Sequence, residues 1–284
     1  MNIDINTLAI VLSITHLLQV IALFVQWQLD KNHPGLGWWL LGIGTTALGF
    51  VALFLRSVPQ LVSISIVGNN VLFVYGSTLL YIGILRFFNR RERRRLLIAL
   101  LAAYTLIDIY LTFVDNDVVL RRTTLYLVSA ALAFITARAV FLYKNRFAIA
   151  TANFLAAVFF AHGIVLLVSM LLTLTNPSPS VIQAASPDQV VPILDGLIAT
   201  SLWTFGFILM VNQRLSAESS EAREYIELIF NTSPDAVLVT RLNDGIVVEI
   251  NDGFLMLTGY IRAEVIGKST MRNKRWPLFL ISVV

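Results

Sequence analysis

The sequence predicts a mainly α protein: a seven-helix transmembrane bundle, then a helical linker, then an incomplete α+β domain. Three observations predict it. Hydrophobic residues fill 57% of the 284 positions and charged ones only 13%, where a soluble domain has about 25% charged. Seven apolar runs approach or exceed the ~20 residues a helix needs to cross ~30 Å of hydrocarbon. Arginine and lysine concentrate in alternate connections between those runs. The expected divisions are 1–213 for the bundle, 214–230 for the linker, 231–270 for the α+β piece and 271–284 for an atypical tail.

The spans are expected at Ile5–Trp27, Gly37–Leu55, Leu61–Leu85, Leu96–Phe113, Thr123–Tyr143, Phe147–Leu174 and Val190–Val211. The opening MNIDIN carries an acid and no base, unlike the basic start of a secretory signal, so the first run reads as a retained span. Trp27, Trp38, Trp39, Tyr104 and Tyr143 lie near span ends, where amphipathic rings favour the headgroup zone. Span two holds Gly37, Gly42, Gly44 and Gly49, a spacing that suits close helix packing. No span is read as having an interior proline, so the broken helices of a transporter are not expected.

Orientation follows the bases. The third connection holds Arg90, Arg91, Arg93, Arg94 and Arg95; the first holds Lys31, the fifth Lys144 and Arg146, and the exit Arg214. The second holds only Arg56. The fourth offsets Arg121 and Arg122 with Asp115 and Asp117, and the sixth, 176–189, is a Pro/Ser-rich loop without a base. The positive-inside bias places odd connections in the cytoplasm. A multi-pass plasma-membrane protein with its N-terminus outside and its C-terminus inside is expected. The net charge of +4 is then topological, and no nucleic-acid partner is implied. With no cysteine, disulfides, thiolate metal sites and cysteine nucleophiles are excluded.

Ionisable side chains at bilayer depth are candidate functional sites: His16, Asp108, Arg138, His162 and Asp195. Two histidines on facing helices are the minimum for a bis-histidine haem. The simpler reading is that each bonds a neighbouring helix. Asp108 and Arg138 belong to opposite ends of their spans and are expected to be too far apart to pair, with Arg138 reaching inward to the interface. Asp195 is expected near the outer end of span seven, facing water. Gln19, Asn69, Asn70 and Asn153 are polar and neutral. No metal site and no cofactor can be assigned.

Gly196 to Phe230 contains no proline and only Gly206 after its start, so one helix should leave the membrane and continue as LSAESSEAREYIELIF. Val211, Leu215, Glu218, Ala222, Tyr225 and Ile229 alternate steps of four and three, a short heptad seam that would support a homodimer. An amphipathic linker is the alternative. Pro234 ends the helix. Ala236–Arg241 and Ile246–Ile250 read as strands joined by a hairpin turn at Asn243-Asp244-Gly245. Asn251 caps a short helix, Asp252–Leu257, that stops near Gly259; a second, Arg262–Ile266, stops at Gly267.

SPDAVLV, INDGF and LTGYIRAEVIGKS together resemble the first half of a PAS domain, with Asn251, Phe254, Gly259, Tyr260 and Gly267 as the structural motif. The resemblance covers about forty residues. It implies a signalling module of the kind that follows membrane sensors in bacterial histidine kinases and diguanylate cyclases. The run MRNKRWPLFLISVV does not resemble the remaining helix and strands of that family, so a truncated product is expected, without a catalytic output domain and with exposed strand edges. The reading is therefore a membrane-bound sensory input module with an unknown stimulus. Two alternatives stand beside it: a small transporter or channel with an accessory tail, and a non-functional gene fragment.

Overall fold

In the computed structural model, residues 5–31, 33–144, 146–175 and 187–270 are described. The expected sixth-connection loop, for residues 176–186, and the expected tail, 271–284, lie outside them. The chain divides into two compact units, Met1–Gln213 and Arg214–Val284.

The first unit contains six helices and most of the apolar part of a seventh. They are α1 (Ile5–Leu29), α2 (Leu36–Leu53), α3 (Val62–Phe87), α4 (Arg94–Phe113), α5 (Val118–Tyr143), α6 (Ile149–Thr175) and α7 (Pro187–Thr232). All seven are long and apolar enough to cross a membrane. Their surface is inverted relative to a water-soluble bundle. Leu17, Leu18, Ile98 and Leu106 are 58–67% exposed, whereas His16, Asn70, Asp108, Thr136 and Ser169 are buried. An apolar exterior with internally bonded backbone is what hydrocarbon demands.

Helix α2 packs on α3, α5 on α6, and α3 also meets α4 and α5. Glycine sets the α2–α3 approach. A Cβ at Gly76 would sit 2.3 Å from Thr46 Oγ1, and one at Gly83 would sit 2.4 Å from the Trp39 ring. Of the four α2 glycines, Gly42 and Gly49 are at tight contacts, Gly37 has only Trp27 in ordinary contact, and Gly44 faces open space.

Several expectations need correction. Pro192 lies inside α7, which begins at Pro187, so span seven does contain a proline. Trp39 and Tyr104 are 0% and 2% exposed and belong to the core, because their helices turn those faces inward rather than to the headgroups. Helix α5 starts five residues earlier than hydropathy suggests. The Asp117 carboxylate accepts from Leu120 N at 2.8 Å and caps it, drawing Arg121 and Arg122 into its first two turns.

The second unit starts in α7 and continues through β1 (Leu238–Thr240), β2 (Val247–Ile250), α8 (Asp252–Thr258) and α9 (Arg262–Val265). The strands are antiparallel, Leu238 opposite Ile250, with an irregularity between Val239 and Thr240. Gly245, at φ 63°, makes the turn. The expected first strand was longer at both ends, and the expected second strand was longer by one residue at its start only. One feature was missed: residues 267–270 return beside β2, with Val247 N donating to Lys268 O, Gly267 N to Val247 O and Ile246 bridging Ser269. The β2 edge is thus partly covered. Leu238, Val247, Ile250, Phe254 and Val265 form the small core.

Candidate functional site

Two polar centres lie inside the bundle. The first joins α6 to α7. His162 Nδ1 and Asp195 Oδ2 are 2.5 Å apart, with side chains 15% and 18% exposed. Asp195 therefore does not simply face water as expected; one helical side of α7 turns it onto α6. The His162 ring meets Trp203 edge-on at 5.4 Å. Trp203 stacks on Phe159 at 4.8 Å, and Phe207, one turn on, stacks on Trp39 at 4.2 Å. Helix α7 is thus held through flat aromatic faces to α6 and α2. Gln19 on α1 donates to Ser201 and Gln26 to Asn212, completing its seat. A cleft beside this centre is lined by Ser77, Ser129, Thr136, Phe159, His162 and Trp203, among others. The indole N–H of Trp203 is buried without a partner.

The second centre joins α3, α4 and α5. Asn70 Nδ2 donates to Asp108 Oδ1 at 3.0 Å. Asp108 Oδ2 and the Tyr104 hydroxyl are buried with no hydrogen-bond partner. Arg121, 6% exposed, donates weakly to Leu111 O at 3.4 Å and lies within electrostatic range of Asp108. The basic neighbour of Asp108 is therefore Arg121, a residue the sequence reading had left in a connection. Arg138 is exposed on α5 and is not its partner. Only its place at the far end of the same helix was legible.

His16 is fully buried. Its Nδ1 lies 2.8 Å from Leu12 O on its own helix, and its ring packs on Phe50 at 4.7 Å. His162 is engaged with Asp195 and Trp203, so each histidine has helix-packing contacts of its own. Among the described residues no group of three or more His, Cys, Asp or Glu side chains could hold a metal ion.

Outside the spans, Glu92 clamps the α3–α4 connection, accepting from Arg86 Nη2 at 2.6 Å and Arg94 Nε at 2.7 Å. Burial alone would raise its pKa, but the two guanidinium bonds outweigh that and hold it at about 2.

In the second unit Asn251 is the centre. Its Oδ1 accepts from Val237 N and Phe254 N at 2.8 and 2.9 Å. Its Nδ2 donates to Phe230 O and Asp235 O at 3.0 and 2.8 Å. Gly253 allows that approach, since a Cβ there would lie 2.5 Å from Asp235 O. Phe254 is buried, Tyr260 packs on the core, and Gly259 and Gly267 adopt φ of 71° and 82°.

A family model described as a PAS fold matches residues 224–273. The match supports a PAS domain in the second unit. No curated protein and no solved structure matches the chain. Seven membrane-capable helices followed by a PAS domain fit a membrane sensory module.

Proposed function

We propose that the chain is the sensory input of a bacterial membrane signal-transduction protein, of the layout found with histidine kinase or diguanylate cyclase outputs. Its N-terminus would lie outside and its C-terminus in the cytoplasm. The carrying observation is α7, a single helix from Pro187 to Thr232. Asp195 ties its start to α6, Trp203 and Phe207 seat its middle, and its end supplies Phe230 O to Asn251. A displacement at the His162–Asp195 end would travel along a stiff rod; a flexible linker would dissipate it. Leu215, Tyr225 and Ile229 are 36–65% exposed on that rod, which supports pairing with a second copy along the heptad seam.

The chain has no cysteine of its own, so disulfide scanning is clean. Single cysteines placed along 214–230 of the full chain in membranes should cross-link with peaks at 215, 218, 222, 225 and 229. Asp195→Asn should change those rates, and Gly-Pro in place of Ser219-Ser220 should abolish that change beyond 220. Uniform cross-linking, unmoved by Asp195→Asn, would sink the reading.

A further inference from the structure

Residues 86–95, between the span ends of α3 and α4, hold six arginines and a single carboxylate, Glu92. That carboxylate is committed to Arg86 and Arg94, at 2.6 and 2.7 Å. Arg90, Arg91, Arg93 and Arg95 are exposed, and among the described residues no acidic side chain pairs with them. Backbone bonds fix the segment that carries them. Asn89, at φ 55°, turns the chain out of α3; Arg90 N donates to Leu85 O at 2.7 Å, and Leu97 N to Arg93 O at 3.1 Å. The Arg90 guanidinium lies 4.8 Å from the centre of the Tyr143 ring, the last residue of α5. The next residue, Lys144, donates to a neutral group, Asn153 Oδ1, at 2.7 Å. The basic surface therefore runs from the α3–α4 connection to the end of α5.

Topology alone does not require such density. The first connection carries one lysine and the fifth carries Lys144 and Arg146, yet both are expected on the same side. Unpaired like charges held this close repel, and an anion that joins them relieves the repulsion. Arginine forks favour phosphate oxygens, which they meet two at a time. The first turns of α4 after these arginines are apolar and open: Leu96 and Ile98 are 59% and 65% exposed. Guanidinium groups followed directly by an exposed apolar strip match a molecule with a phosphate at one end and hydrocarbon at the other. A soluble phosphate would leave the strip unused.

We infer that Arg90, Arg91, Arg93 and Arg95, flanked by Lys144, form a docking surface for the phosphate headgroups of anionic phospholipids, whose acyl chains lie along Leu96 and Ile98. Basic clusters beside a span end hold anionic lipid in this way. Binding requires only that these helices cross a membrane, so this surface and the sensory role stand or fall separately.

The test uses the full chain purified in a neutral maltoside detergent. Phosphatidylglycerol in mixed micelles is titrated by calorimetry. Phosphatidylcholine, which has the phosphate without the net charge, is the comparison, and glycerol phosphate is the soluble competitor. Phosphatidylglycerol should bind saturably and at least about tenfold more tightly than phosphatidylcholine, and an equal concentration of glycerol phosphate should not displace it. Arg91→Gln combined with Arg95→Gln should weaken binding at least about tenfold. The corresponding double lysine variant, which keeps the charge and loses the fork, should weaken it less. Arg223→Gln, exposed on α7, should leave it unchanged. Equal binding of the two lipids, displacement by glycerol phosphate, or wild-type affinity in a monodisperse double glutamine variant overturns the proposal. If that variant does not fold, unchanged affinity in Arg91→Gln alone overturns it instead.

Discussion

Asn251 is fully buried, and its amide uses both lone pairs and both protons on backbone groups between Phe230 and Phe254. Removing it strands two N–H groups and two carbonyls, at about 1–3 kcal/mol for each that stays dry. Asn251→Ala should therefore unfold the second unit while the bundle stays intact, seen as rapid proteolysis after residue 232 with the first unit protected. Resistance equal to wild type would contradict this. The sequence made the cap legible, because a cap is local: Asn251 to Phe254. The bonds back to 230–237 were not, since they depend on the hairpin folding over. Glu92 gives a second residue-scale prediction. Its pKa is lowered from 4.5 to about 2 by Arg86 and Arg94. A depressed carboxylate stabilises the folded state above its unfolded value and loses that contribution as pH falls through the folded one. Thermal stability should thus decline between pH 4.5 and about 2, and Glu92→Gln should flatten that part of the profile while lowering stability at neutral pH. An unchanged acid profile in the variant would show that the clamp contributes nothing.

Pairs of helices carry the next set of consequences. Spacing on one helix announces that glycines are for packing but not which of them face a neighbour, so Gly42, Gly44 and Gly49 look alike in the sequence. In the structure Gly44 has nothing within 4 Å, while a Cβ at Gly76 on α3 would collide with Thr46 Oγ1 and the Gly42 carbonyl. Gly76→Ala should destabilise the bundle by about 1–3 kcal/mol, the usual range for overpacking, and Gly44→Ala should be neutral or slightly stabilising. Detergent unfolding curves of the two variants distinguish them; equal effects would mean that α2 and α3 do not cross at these residues. The same limit explains α5. Hydropathy starts it at Thr123 because Arg121 and Arg122 read as loop, but the Asp117 cap extends it to Val118 and buries Arg121 within electrostatic range of Asp108. A buried arginine at a helix start is invisible to an apolar count.

For the whole chain, the number of spans was legible because lipid imposes one requirement on all of them: a long helix with an apolar exterior. What lipid does not specify is which interior faces meet, and that is where the reading ran short, at Trp39 on Phe207, Asp195 on His162 and Asp108 on Asn70. The direction of insertion rests on a different physical term, the bias of arginine and lysine toward the cytoplasmic side. Its weight lies in the connection between α3 and α4, where Arg90, Arg91, Arg93, Arg94 and Arg95 are all solvent-exposed and Glu92 is held by Arg86 and Arg94. The opposing connections offer Arg56 and Arg121–Arg122, already partly withdrawn from water. On the proposed topology an odd number of crossings would separate the termini. Fusions of a periplasm-active phosphatase should be inactive after residue 92 and after residue 270, and active after residue 116. A cytoplasm-active fluorescent reporter should give the reverse pattern. Replacing Arg90, Arg91 and Arg93 by glutamine should raise phosphatase activity at the position 92 fusion, because the charge that retains this connection is then reduced. Activity at both 92 and 116 in the native sequence would mean that α4 does not cross, and the count of seven would fall with it.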